Sequence, residues 1–199
     1  MITLDVWSDY SCPYAYAAAV WLREVKAHYG ETLEIHWRDF PLEQVNSMQG
    51  PEWKLWEQPD SHRSKGLWAF RAGQAARLQG DEPFRRFHMA LFEARHQRRE
   101  DLADPDLLAG IAQECGLDLG RFRRDLGDRA LLKRIGQDYE EGAQEHGIWG
   151  TPTLVFNGRQ AAYLKLRPAP PAGEGVKLFE EVFDLVANRP YLLEVKRPR

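Results

Sequence analysis

The chain has 199 residues, 43% of them hydrophobic and 29% charged, which is ample material for a core and excludes a disordered polymer. Its 27 basic and 30 acidic residues leave a formal charge of −3 and are well mixed, so there is no electrostatic footprint for nucleic acid or anionic lipid. One globular domain, with room for a subdomain, and a small or neutral partner are expected.

Residues 2–7 alternate as a short buried strand, and "CPYAYAAAVWLREVKAHYG" then runs as a helix with Val20, Trp21 and Val25 on one side, closing at Gly30. "TLEIHWRDF" reads as a second strand. Two strands joined by a helix of this length form a βαβ unit with parallel strands. From Pro41 to about Asp60 periodicity is lost among Pro41, Gly50, Pro51 and Pro59. Trp53 and Trp56 in this loop read as covering a core edge, the commoner use, or as stacking on a substrate.

An all-helical block of four or five helices follows. Leu67, Phe70 and Leu78 suit one helix, and Phe84, Phe87, His88, Leu91 and Phe92 form a stripe for another. "ADPDLLAGIAQECG" has acidic and proline start signals and ends at Gly116, with Leu108, Ile111, Ala112 and Cys115 on one face. A short helix over 118–126 and a longer one through Leu131, Ile135, Tyr139 and Ala143 complete the block. In "TPTLVFNGRQAAYLKL", two apolar runs flank Asn157-Gly158, the pair best suited to a type I′ hairpin turn. A last helix carries Leu178, Phe179, Val182, Phe183 and Val186.

The N-terminus enters "ITLDVW" without a basic n-region or apolar h-region, and no stretch reaches the roughly 18 apolar residues of a membrane span, so a cytosolic setting is expected. In a reducing compartment Cys12 and Cys115 are not expected to form a structural disulfide, and their spacing is not that of a zinc site. Nor do the six histidines pair at i, i+3 or i, i+4, so no metal is expected. His88 reads as packed within the helical block, and "ARHQRRED" as a solvated helix end. Nucleophile-elbow, dinucleotide-binding and P-loop motifs are all lacking.

The chemistry therefore centres on "SDYSCPYAY". If Pro13 is the first helical residue, Cys12 is the N-cap, and its sulfur faces the unpaired N–H groups of the first turn, which favour an anion. The helix dipole contributes only about 0.3–1 kcal/mol at exposed sites, so direct N–H···S bonds are expected to add to it. A small buried hydrophobe is the plainer alternative for Cys12. Cys115, on an apolar helix face, reads as core filling.

Together "SDYSCPYAY", the β-α-β, helical insert, β-β-α order and "WGTPTLVFNG" resemble the DsbA-like thioredoxin superfamily over Ile2 to about Ala187. The nearest resemblance is to FrnE-like oxidoreductases and their relatives, the kappa-class glutathione transferases and 2-hydroxychromene-2-carboxylate isomerases. The resemblance implies an α/β thioredoxin-like domain from residues 1–40 and 148–188, a loop and helical insertion over 41–147, and a C-terminal tail over 189–199. It also implies that Cys12 is the nucleophilic thiol and that Pro152 is a cis-proline beside it. Thr151 would offer its backbone to an extended thiol peptide, while Pro13, Tyr14 and the segment from Trp37 to Leu42 would line the groove.

Ala15 stands where the dithiol members carry a second cysteine, so any disulfide made by Cys12 is with another molecule. Three functions follow as expectations. The first is monothiol thiol–disulfide exchange or isomerisation, with a protein disulfide as substrate or with glutathione or another low-molecular-weight thiol as co-substrate and no tightly bound cofactor. The second is a glutathione-dependent isomerase or transferase, in which Cys12 takes the place of the family's serine. The third is a non-catalytic peptide-binding module.

Overall fold

The computed structural model describes residues 1–64 and 66–197. Strand β1 (Ile2–Ser8) leads into helix α1 (Pro13–Tyr29), and β2 (Leu33–Asp39) returns parallel to β1 with Ile2 opposite Leu33 and Ser8 opposite Asp39. Pro13 at the first helical position and Gly30 just past the last, at φ +53°, bound α1 as the sequence predicts.

After β2 come a one-turn helix α2 (Leu42–Val45) and a further single turn over Leu55–Glu57. Five helices then form the insertion: α3 (Leu67–Arg77), α4 (Asp81–Glu93), α5 (Pro105–Glu114), α6 (Leu119–Gly127) and α7 (Leu131–Glu145). Asp104 caps α5 by accepting the Asp106 N–H ahead of Pro105. The chain returns to the sheet as β3 (Thr153–Phe156) and β4 (Gln160–Tyr163) and closes with α8 (Gly175–Asn188). The last two residues of the 189–199 tail lie outside the described residues.

The sheet order is β2-β1-β3-β4, with β3 antiparallel to both its neighbours. Asn157 and Gly158 both hold positive φ, +51° and +68°, as a type I′ turn requires. Arg159 adds one residue before pairing resumes between Phe156 and Gln160. Because β side chains alternate, Leu4 and Val6 pack with Leu154 and Phe156 against Trp21, Leu22 and Phe179 of α1 and α8. Trp7 and Val155 point the other way, against Phe40 and Ile148. The insertion has its own larger core, built on Phe70, Phe87, Leu91, Phe92, Phe122 and Ile135, and Tyr10, Cys12 and Ala15 belong to it. The β1–α1 turn is thus where the sheet unit and the insertion meet.

No helix among the described residues is long and apolar enough to cross a membrane.

Candidate active site

Cys12 is the N-cap of α1 (φ −85°, ψ 118°), and its backbone N–H closes a turn on the carbonyl of Asp9 at 3.0 Å. Asp9, only 3% exposed, holds this turn. Its Oδ1 accepts from both the backbone N–H and the hydroxyl of Ser11 at 2.7 Å, and its Oδ2 accepts from the Leu42 N–H at 2.7 Å, so one carboxylate ties the β1–α1 turn to the start of α2. Burial outweighs these three bonds and holds the Asp9 carboxyl above the ordinary range.

The sulfur does not do what the sequence predicts. No helix N–H group caps it; the thiol instead donates to the Thr151 carbonyl at 3.3 Å. An extended Cys12 backbone sends the short side chain across to the segment before β3, where the Thr151 carbonyl accepts its proton. Cys12 is 5% exposed, and Ala15, one turn further on, faces the core.

The opposing segment is equally constrained. The Thr151–Pro152 bond is cis, the Pro152 carbonyl accepts from the Leu164 N–H at 3.1 Å, and the Gly150 carbonyl accepts from the Thr153 hydroxyl at 2.8 Å. Thr151 is 2% exposed, and its hydroxyl has no hydrogen-bond partner among the described residues. Exposed Pro13 and half-buried Tyr14 form one rim of the site. Trp149, 64% exposed and packed on Tyr163 with ring centroids 4.4 Å apart, forms the other.

The predicted wall from Trp37 to Leu42 is only partly there. Leu42 reaches the site through Asp9, but Trp37 faces away, with its ring 4.4 Å from His88. Both line a cavity of about 1300 Å³ along the outer edge of β2 between α1, α4 and α7. That cavity does not locate the chemistry, because neither Cys12 nor Cys115 lines it. His88 is buried as predicted; Tyr10 Oη lies 2.9 Å from its Nδ1, and burial lowers its affinity for a second proton. Cys115 sits at the end of α5, half-buried rather than deep in the core, with its thiol pushed up by burial. The "ARHQRRED" segment is not simply solvated: His96 Nε2 donates to the Tyr10 carbonyl at 2.9 Å and its ring stacks on Tyr16. Trp56 covers a core edge against Tyr139.

Below the site, Asp39 ends β2. Its Oδ2 accepts from Gln74 Nε2 at 2.8 Å, and burial, with the nearby charge of Asp138, pushes its carboxyl up to about 7. Asp138 accepts the Asp39 N–H at 3.0 Å and an Arg38 guanidinium N–H at 3.3 Å. An acid raised on folding binds more protons folded than unfolded, so its stabilising contribution is full below the ordinary carboxylate range and is lost as the pH rises through about 7. Melting temperature is therefore expected to fall across that window. Asp39→Asn, which keeps an acceptor for Gln74, should flatten the slope; an unchanged slope in thermal melts over pH would exclude Asp39 as its source.

The sequence matches the model of the DSBA-like thioredoxin domain over residues 3–167, a span that holds the Cys12 turn, the insertion and the hairpin. The chain belongs to this family. Over 199 residues the DSBA-like chain is 28% identical to an uncharacterized protein of Mycobacterium tuberculosis, covering 100% of this chain and 83% of that protein. It is 32% identical over 160 residues to a Na(+)/H(+) antiporter, NhaA 1, of Salinispora arenicola, but these cover 80% of this chain and 20% of the antiporter. The chain is thus similar to about a fifth of that protein's length.

Among solved structures it resembles a probable DsbA oxidoreductase from Streptomyces coelicolor (TM-score 0.67, 17% identity, covering 100% of this chain and 94% of that one). It also resembles a putative protein disulfide isomerase from Nitrosomonas europaea (0.66, 17%, 92% and 97%) and a 2-hydroxychromene-2-carboxylate isomerase (0.65, 15%, 97% and 100%). At these identities the likeness is one of fold.

Within this DSBA-like chain, sequence reasoning brought Cys12, Pro13, Tyr14, Thr151 and Pro152 to one region but missed Asp9, His96, Trp149 and Tyr163. For Trp149 a signal existed, since a tryptophan two residues before Thr151-Pro152 has no core periodicity to serve. Asp9 had a local signal too, the Ser11 two residues on whose N–H and hydroxyl it accepts; for His96 and Tyr163 there was none, because only folding brings Tyr10 and Trp149 to them.

Proposed function

We propose that this DSBA-like protein is a thiol–disulfide oxidoreductase or isomerase that works as a monothiol through Cys12. The observation that carries the reading is the Cys12 thiol at the start of α1, 3.3 Å from the Thr151 carbonyl and beside Pro152, with an alanine at position 15. The Cys12 thiolate attacks a disulfide R–S–S–R′, forming Cys12–S–S–R and releasing R′–S⁻, which takes up the proton Cys12 gave up. An external thiol R″–SH then attacks the mixed disulfide, giving R–S–S–R″ and restoring the Cys12 thiol. A low-molecular-weight thiol such as glutathione suits this second step, and a reducing, cytosolic setting would supply it. Pro13, Tyr14, Thr151 and Pro152 contact the substrate, with the Thr151 backbone pairing to it as an added strand would.

The test is intact mass after incubating the reduced protein with glutathione disulfide. One glutathione adduct is expected on wild type and on Cys115→Ala, and none on Cys12→Ala. An adduct that survives Cys12→Ala, or none on wild type, overturns the reading.

The absent second sulfur also supports a glutathione-dependent isomerase or transferase, which gains if Cys12→Ser retains activity on an aromatic electrophile. The burial of Cys12 supports a non-catalytic peptide-binding module, which gains if wild type lacks thiol-dependent activity and Cys12→Ala keeps peptide binding.

A further inference from the structure

Beside the thiol site stands a cation with no carboxylate partner among the described residues. The Lys165 ammonium lies 5.2 Å from the centre of the Tyr14 ring and 5.3 Å from that of Tyr163, and it forms no ion pair among the described residues. Two aromatic faces hold a cation in place without neutralising it, so its charge stays available to an anion. Tyr14 is two residues after Cys12 in the first turn of α1, and Tyr163 ends β4, directly across from Thr153.

The rest of the rim is fixed with it. The Leu164 N–H bond to the Pro152 carbonyl anchors the end of β4 at Pro152. At Gly150 a Cβ would lie 3.2 Å from the Tyr163 ring, so the close approach of ring to loop suits a glycine there. Trp149 also packs on Tyr163 while remaining largely exposed itself. An exposed tryptophan, two tyrosines and an ammonium with no ion pair among the described residues thus cluster where the first turn of α1, the end of β4 and the segment before β3 meet. An apolar wall with one fixed positive charge recognises an organic anion.

We propose that Lys165, with Tyr14, Tyr163 and Trp149, is a subsite for a carboxylate carried by the thiol or disulfide that reacts with Cys12. This deepens the monothiol reading and rests on it. The substrate class it selects is a carboxylate-bearing disulfide, with the carboxylate held by Lys165 while one sulfur meets Cys12. The covalent step is unchanged: the Cys12–S–S–R bond forms, the substrate S–S bond breaks, and the second sulfur leaves as a thiolate.

The test compares second-order rates of Cys12 with two aromatic disulfides, the dianionic dithiobis(nitrobenzoate) and the neutral dithiodipyridine, on a Cys115→Ala background. The ratio of the anionic to the neutral rate is expected to fall about tenfold in Lys165→Glu, with a smaller fall in Lys165→Gln, because a fixed charge at a site entrance acts chiefly on encounter with a charged ligand. The wild-type ratio should also fall with added salt. Lys177→Glu, on exposed α8, makes the same change in net charge and should leave the ratio unchanged. If Lys177→Glu and Lys165→Glu lower the ratio equally, or neither does, the subsite is overturned while the reactive thiol stands. If Cys12 reacts with neither disulfide, the monothiol reading itself fails and the subsite falls with it.

Discussion

Replacing Gly142 with alanine should destabilise the protein by about 3 kcal/mol, although alanine is the better helix former by about 1 kcal/mol. Gly142 is on α7, and a Cβ there would lie 2.5 Å from Trp7 Nε1 and 2.8 Å from Trp7 Cδ1. Trp7 is 0% exposed and cannot turn outward, and its indole N–H donates to the Asp138 carbonyl on the same helix at 2.8 Å. Overpacking a core costs about 1–3 kcal/mol, and stranding a buried donor costs about 1–3 kcal/mol more. These terms outweigh the gain in propensity. For a chain of this size the melting temperature should drop by about 6–12 °C. Gly110→Ala on α5, where nothing lies within 4 Å of the new Cβ, should instead be neutral or slightly stabilising. Equal melting temperatures for the two variants would show that the Trp7–α7 contact is not the constraint described. Gly136, whose Cβ would lie 2.5 Å from Trp56 Nε1, should behave like Gly142.

Asp9→Ala should cost about 2–4 kcal/mol and loosen the Cys12 turn, since it leaves the backbone N–H groups of Ser11 and Leu42 without acceptors. The loss is offset in part because the variant no longer buries a carboxyl. Asp9→Asn should fall between, because one amide oxygen can still serve Ser11 while the amide NH₂ opposes the Leu42 N–H. Denaturant melts give the energy. Faster amide exchange at Ser11 and Leu42, together with faster alkylation of the 5% exposed Cys12, would show that the loosening is local. Unchanged exchange at both amides would mean that Asp9 does not hold the turn.

Much of the framework could be read from short segments. Pro13 and Gly30 mark the ends of α1, Asp104 and Pro105 open α5, and Asn157-Gly158 takes two positive φ angles, each because a residue's own backbone preference decides the matter. The alternation of β1 likewise put Leu4 and Val6 on one buried face. Where a side chain's fate depends on a distant segment, the reading failed. The helix-start position points the Cys12 sulfur to the amides of its own helix, but its bond is to Thr151, 139 residues away. Helical spacing puts Cys115 on the core side of α5, and it does pack against the insertion's core, but only half-buried because α5 ends one residue before it. The family resemblance puts Trp37 in the wall of the groove, but its ring packs on His88 of α4.

The amino-acid order thus settled the elements, their succession and the single thiol at a helix start, because caps, turns and periodicity act within a few residues. It also settled that Cys12 has no neighbouring sulfur, since Ala15 occupies that place. Folding alone decided what surrounds the thiol. Asp9 clamps two loops, His96 reaches back from the insertion to the Tyr10 carbonyl, and Lys165 comes to rest between Tyr14 and Tyr163. The physical reason is that the contacts of Asp9 with Leu42, His96 with Tyr10 and Lys165 with Tyr14 join segments tens to more than a hundred residues apart, whose approach is set by how the sheet and the helical insertion pack their cores and by no preference of the residues themselves.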